Sequence, residues 1–359
     1  MAPGSVQERL DAIEPVIRRI CAVAGTPGIS VWVSYRGEIA HRANYGFADI
    51  EAQSATTSDT VYPIGTMAKA LTATRRGVIE TLSGMSFGRF LEEKLLRPLG
   101  MSHTSFDALP GQTDEPGLAK PYAAMDDASA HLMPFPPVHD GTIMAPAMGG
   151  RSSADDLLRY SMALLAARCD EASGKKADVI RHAVKQLSGH IFTAPGTLEK
   201  SYAFGFYRTQ LPNTVLGMGW NSIYVDRMPT LIPRGHAGPV IAHGGSLPGH
   251  HVAMALLPEL DSSVVVCTNS IAPGDVGMAT EAARSNARNV TRLETVLEQQ
   301  RKSMALHKPL DQFVGSYRHT SLVWFVDINL DSAGALEVAF MGLGSQTWTL
   351  KHYEGDTFL

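Results

Sequence analysis

Apolar residues change their period several times along the first hundred positions. In Met1–Gly25, Leu10, Ile13, Ile17 and Ile20 recur at helical spacing between Glu8, Asp11 and Glu14, which predicts an amphipathic helix facing the core. Gly28 to Ser34 alternates in the manner of a strand, and Tyr35-Arg36-Gly37 can turn it into a second strand from Glu38 to Tyr45. Val61-Tyr62-Pro63-Ile64 is again strand-like. From Thr66 the helical period returns, since Ala70, Leu71, Ala73, Val78, Ile79 and Leu82 share one broad face. A helix from Thr66 to about Leu82, closed by Gly84, is therefore predicted. Ser86 to Leu96 forms a further helix that Pro98 ends.

Beyond this point the pattern divides the chain. Ala108 to Met144 is rich in Pro, Gly and Asp and keeps no period, as lids and pocket walls often do. Ser153 is placed to cap a helix running through Leu165, with Asp155 and Asp156 in its first turn. His251–Leu257 and Ser263–Thr268 alternate as partners for the strand at Ile29–Ser34. Residues 275–305 read as a polar, helix-prone arm. After it, Leu322–Leu330, Ala335–Met341 and Thr347–Tyr353 alternate around an Asp331-Ser332-Ala333-Gly334 turn, predicting a small antiparallel β appendage. The organisation expected is a main domain over 1–290, a helical linker over 291–307 and the appendage over 308–359.

Composition narrows the function classes. With 359 residues, 44% of them hydrophobic, the chain can bury a large core. A net charge of −4 and a pI near 6.3 supply no basic face for nucleic acid. The acidic residues of the first helix fall where a secretory apolar stretch should be, and nothing approaches the roughly 18 apolar residues of a membrane span. Cys21, Cys169 and Cys267 are too few and too far apart for a disulfide framework, so a cytoplasmic location is expected, with each thiol a small buried hydrophobe. His250 and His251 point to opposite faces of a strand with no third ligand spaced for zinc; no metal or other cofactor is expected.

The candidate chemistry lies in Gly65-Thr66-Met67-Ala68-Lys69. Spacing by three puts the hydroxyl and the amine on one helix face, and the hydroxyl falls at the first turn, where unpaired N–H groups favour a developing anion. The stretch resembles the Ser-x-x-Lys box of the serine β-lactamase and penicillin-binding-protein superfamily, with threonine at the nucleophile position. Ser83 to Thr104, which contains Arg97-Pro98-Leu99-Gly100-Met101-Ser102-His103-Thr104, resembles a segment of class C β-lactamase-related proteins. Ala145 to Leu157 is similar to the turn and helix start of that family. Ala242-His243-Gly244-Gly245-Ser246-Leu247-Pro248-Gly249 is similar to the His-x-Gly form of its third motif, and Val264 to Ser270 to the hairpin partner that ends in Thr-Asn-Ser.

The resemblance implies an α+β fold: an antiparallel β-lactamase/transpeptidase-like sheet flanked by helices, with the small C-terminal β appendage. It also implies roles. Thr66 is the nucleophile, Lys69 manages its proton, and His243 lines the cleft opposite. The N–H groups of Thr66 and Ser246 form the oxyanion hole, and Gly244 and Gly245 let substrate approach the strand. Histidine at 243, where β-lactamases carry lysine, points towards esterase or acyltransferase chemistry. The family's Tyr-x-Asn motif has no counterpart. Thr74-Arg75-Arg76-Gly77-Val78 directly joins pieces that relatives separate by a long helical stretch, so a reduced helical subdomain is expected near 74–78. Tyr122 is a candidate to stand in for the tyrosine, and Trp220 for the pocket rim. The function expected is acyl transfer or hydrolysis of a small ester or amide through Thr66. The alternative is a catalytically impaired relative that keeps a ligand-binding cleft.

Overall fold

The alternating segments assemble into one sheet. The computed structural model describes residues 5–72, 76–107, 117–125, 127–133, 135, 138, 144–194, 196, 198–213, 230, 238–271, 308–318, 325–340 and 347–358. In chain order the sheet strands are β1 (Gly28–Tyr35), β2 (Glu38–Asp49), β3 (Ser54–Ala55), β4 (Ile191–Phe192), β5 (Lys200–Tyr202), β6 (Tyr207–Gln210), β7 (Pro239–Leu247), β8 (His250–Leu257) and β9 (Ser262–Thr268). Across the nine-stranded sheet they run β3-β2-β1-β9-β8-β7-β6-β5-β4. All neighbours are antiparallel. The register sets Ile29 opposite Thr268 and Ser34 opposite Ser263.

Six helices accompany the sheet in the argument below: α1 (Val6–Asp11), α2 (Glu14–Ala24), α3 (Ala68–Leu71), α4 (Arg76–Ser83), α5 (Phe87–Leu91) and α6 (Ala154–Ala172). Ser153 Oγ caps α6 by accepting the Asp156 N–H at 3.1 Å. The helix continues past the predicted end at Leu165, because Leu164, Leu165 and Ala167 all stay buried. Leu157, Leu158 and Leu164 of α6 pack with Trp32, Met254 and Val265 of the sheet in one core. Within it the Ser263 hydroxyl bonds both Ser34 and Ser161, at 2.7 Å each, so the buried polar atoms of β1, β9 and α6 satisfy one another. The buried Asp156 carboxylate accepts the His103 N–H and the Thr104 hydroxyl, both at 2.7 Å, which ties the start of α6 to the Pro-Leu-Gly-Met segment.

Four expectations are corrected. The N-terminal segment is two helices with no buried residue, and Val16, Ile20 and Val23 are 58, 58 and 70% exposed. Of the stripe expected from the sequence, Leu10 and Ile17 are half-buried, whereas Ile13 and Ile20 are exposed. The helix at Thr66 is not continuous: Gly65–Met67 is a 3-10 turn, α3 is four residues long, and α4 begins at Arg76. Thr72 leaves the helical conformation at φ −118° and ψ 22°, and the Ala70 carbonyl accepts the Tyr160 hydroxyl at 2.6 Å and the Gln186 side-chain amide at 3.1 Å. Tyr122–Ala124 is a strand lying between Ser270–Ile271 and Ala130–Leu132, inside the stretch expected to be irregular. Of the three free cysteines only Cys267 is buried; Cys21 is partly exposed and Cys169 exposed.

The contacts divide the chain into Met1–Ala283 and Arg284–Leu359. The second unit holds an antiparallel sheet of Gly315–Arg318, Phe325–Leu330, Leu336–Phe340 and Thr347–Thr349. Its predicted turn is formed by the Asp331 carboxylate, which accepts the N–H groups of Ala333 and Ala335 at 2.8 Å. The predicted strand at Thr347–Tyr353 splits, and His352–Glu354 pairs instead with Thr357–Phe358. The helical linker expected over 291–307 lies outside the described residues.

The buried ring of His250 yields a measurable consequence. Its Nε2 bonds the Ala119 carbonyl at 2.9 Å, while Nδ1 has no partner among the described residues. Burial holds its pKa down to about 4. The unfolded chain binds this proton near pH 6.5, so between pH 6.5 and 4 the unfolded state carries more protons and acidification lowers stability. Urea unfolding should show stability falling from pH 7 to pH 5 by about 2 kcal/mol on account of this residue. The slope should be smaller in His250→Gln.

Candidate active site

The candidate site grows from a contact between two backbones. Gly65 has φ +50°, and a Cβ placed on it would lie 2.8 Å from both the nitrogen and the oxygen of Ser246 on β7. On the other side, a Cβ on Gly245 would lie 1.8 Å from the Ile64 carbonyl oxygen. Both positions therefore demand glycine, and together they bring the turn at Thr66 against β7 with no side chain between. Thr66 Oγ1 spans the same junction, donating to the Gly244 carbonyl at 2.8 Å.

Lys69 follows one turn later on α3. It is half-buried, it makes no hydrogen bond or ion pair among the described residues, and burial lowers its pKa from the usual lysine range. It lines a cavity of about 370 Å³ together with Thr72, Ala147, Ile191, Tyr202 and Phe204. A Cβ on Gly205, in the turn between β5 and β6, would meet the Lys69 carbonyl oxygen at 2.6 Å, so that turn presses directly on the backbone of α3.

His243 stands on β7, opposite Met254 of β8, and is only 5% exposed. Its ring stacks on Tyr207 at 5.7 Å between centroids and 25° between planes. The Tyr202 hydroxyl reaches its Nε2 at 3.4 Å, and Nδ1 has no partner among the described residues. Burial, with the nearby Lys69 charge adding to it, holds the His243 pKa down to about 4. The ring is therefore neutral at pH 7, and an imidazolium is not the cation of this site.

The structure thus brings Thr66, Lys69, His243, Gly244, Gly245 and the Ser246 backbone into one neighbourhood. Ser246 turns its exposed side chain outward, 3.4 Å from His251 Nε2. Tyr122 is not available to it. Its hydroxyl donates to the Glu51 carboxylate at 2.5 Å and accepts the Ile50 N–H at 2.8 Å, so it fastens the sheet strand of the Pro-rich segment to the end of β2. Trp220 lies outside the described residues. The residue that inspection of the sequence missed is Tyr202. It sits on a three-residue strand, too short to show a period, and the one cue was its place before the Gly205 turn. Among the described residues no three His, Cys, Asp or Glu side chains stand together as metal ligands, and no helix is long and apolar enough to cross a membrane.

Comparison with known proteins places this geometry. The family model for β-lactamase matches residues 14–75 and 76–288. The chain belongs to the β-lactamase family. The two matched stretches meet between Arg75 and Arg76, within the segment that joins α3 to α4. In fold, this β-lactamase-family chain is similar to the solved structure of an octameric penicillin-binding protein homologue from Pyrococcus abyssi. That likeness has a TM-score of 0.56 at 15% identity and covers 95% of this chain and 90% of the other. No curated protein sequence matches the chain.

The glycine contacts can be tested directly. Gly245→Ala should push the Thr66 turn off β7 and destabilise the chain by about 3 kcal/mol, at the upper end of what overpacking usually costs. At Gly196 an added Cβ would find its nearest neighbour 3.8 Å away, so Gly196→Ala should leave the melting temperature within about a degree of the parent. Equal melting temperatures for the two variants would show that the turn and β7 are not in backbone contact.

Proposed function

We propose that the chain is an acyl-transfer enzyme, a hydrolase or acyltransferase of small esters or amides, that works through a covalent intermediate on Thr66. The observation that carries this reading is Lys69: a half-buried amine without a hydrogen-bond or ion-pair partner among the described residues, in the wall of a cavity, one helical turn after the hydroxyl. Burial lowers the pKa of this amine, which is the direction a general base requires. The backbone N–H groups of Thr66 and Ser246 supply the pair of donors for the oxyanion.

In this reaction Thr66 Oγ attacks the carbonyl carbon and its proton passes to the neutral Lys69 amine. The tetrahedral adduct collapses, the bond to the leaving group breaks, and Lys69 returns the proton to the departing alcohol or amine. Water or an acceptor alcohol then attacks the acyl-Thr66, gives its proton to Lys69, and the Thr66 hydroxyl is restored. Thr66 must first turn its hydroxyl away from the Gly244 carbonyl, against the χ1 restriction of its β-methyl. Neutral His243 and Tyr202 offer a hydrogen-bonding wall. They carry no charge that would select an anionic substrate, which favours esterase-like chemistry over hydrolysis of carboxylate-bearing β-lactams.

A second reading, a cleft that binds without covalent chemistry, draws on the same bond from Thr66 to Gly244, which leaves the hydroxyl engaged as a structural tie.

Intact-mass measurement after incubation with p-nitrophenyl acetate separates the two. An acetyl adduct mapped to Thr66, absent from Thr66→Ala, supports the enzyme; saturable binding with no adduct supports the second reading. Lys69→Ala should slow adduct formation by about a hundredfold, the lower end of general-base contributions. Thr66→Ser should give little gain in kcat, because the absent family tyrosine limits the rate more than the methyl group does. A rise of about tenfold would assign roughly 1.4 kcal/mol of barrier to the methyl instead.

A further inference from the structure

We infer that the cavity beside Lys69 is an acyl-chain subsite, and that the substrate is a neutral ester of an apolar monocarboxylic acid. This rests on the acyl-transfer reading and names its substrate class.

The polar groups in the cavity wall are already satisfied within the protein. The Thr72 hydroxyl donates to the Pro146 carbonyl at 2.5 Å, and the Tyr202 hydroxyl meets His243 at 3.4 Å. His190 Nε2 bonds the Lys185 carbonyl at 2.8 Å while its ring lies 4.3 Å from that of Phe204. What these residues offer an occupant is their carbon surface, continuous with Ala147, Ile191, Ala203 and Phe204. Among the described residues that line the cavity, Lys69 carries the one amine. A single amine beside an otherwise apolar recess fits an amphiphile with one oxygen-bearing head, that is, a carboxylate or the ester from which it came.

The mouth points the same way. The register sets Ile191 of β4 opposite Tyr202 of β5, and Tyr202 opposite Tyr207 of β6, so an apolar row leads from the sheet edge to the ring of His243. Ile191 is 68% exposed and Phe204 43%, and Phe192, next along the edge strand, is 81% exposed. Large side chains left in water on an edge strand are a liability that an apolar ligand removes by covering them.

Two measurements on the full chain test this. In calorimetry, sodium octanoate should bind and sodium acetate should not, in the parent and equally in Thr66→Ala. The double variant Ile191→Asp/Phe204→Ser should weaken octanoate binding at least about tenfold, with a cooperative melt showing that it is folded. Should that variant not fold, the chain-length series on the parent decides alone. Each buried methylene is worth up to about fourfold, so kcat/KM for p-nitrophenyl octanoate should exceed that for p-nitrophenyl acetate by at least about tenfold. Octyl acetate, with the chain on the alcohol side, should show no such gain over ethyl acetate. Octanoate binding without any Thr66 adduct keeps the subsite and removes the acyl-transfer reading. A Thr66 adduct with no chain-length dependence and no octanoate binding does the reverse, and a preference for octyl acetate overturns the assignment of the acyl side.

Discussion

Everything in the candidate site depends on the bare backbone contact between the Gly65 turn and β7. A methyl group at Gly245 would overlap the Ile64 carbonyl oxygen, and one at Gly65 would crowd both polar atoms of Ser246. Removing these side chains lets the helical side of the molecule meet the sheet through main-chain atoms, whose positions are set by strand pairing on one side and by a 3-10 turn on the other. The N–H groups of Thr66 and Ser246 are held by rigid elements, which is what a pair of oxyanion donors requires, since their stabilising effect depends on their being oriented before charge develops.

The electrostatics follow from the same packing. His243 is buried because β7 is an interior strand and Tyr202 and Tyr207 close over its ring. Burial empties it of charge. Lys69 is in turn only half-buried, so it keeps enough exposure to exchange a proton while paying part of the desolvation that lowers its affinity for one. Neither shift needs a carboxylate. The site sets its protonation states by desolvation and by repulsion between neighbours.

Much of this was legible in the sequence where a pattern ran long enough. The β1–β2 hairpin, β8 and β9 alternate over seven or more residues, and the Ser153 cap and the glycines of β7 are local signals that need no tertiary information. The losses have a common physical origin. The apolar period that predicts a helix from Thr66 continues to Leu82, whereas the Ala70 carbonyl is captured by Tyr160 and Gln186, ninety and one hundred and sixteen residues away. Tyr122 looked free because its segment lacks a period, yet Glu51 and Ile50 hold its hydroxyl. Tyr202 was overlooked because strands of two or three residues, such as β4 and β5, exist only by pairing with a sheet already in place.

The end of α3 is held by side chains from distant parts of the chain. An ordinary helix end leaves carbonyl groups unpaired and fraying, and fraying four residues from Thr66 would loosen Lys69. Here the Ala70 carbonyl receives two side-chain donors, one of them from the buried Tyr160 of α6, and Thr72 is fastened to the Pro146 carbonyl. The Gly205 turn presses on the Lys69 carbonyl from the sheet side. A four-residue helix is thus held at its start by β7, at its end by α6 and along its side by the β5–β6 turn.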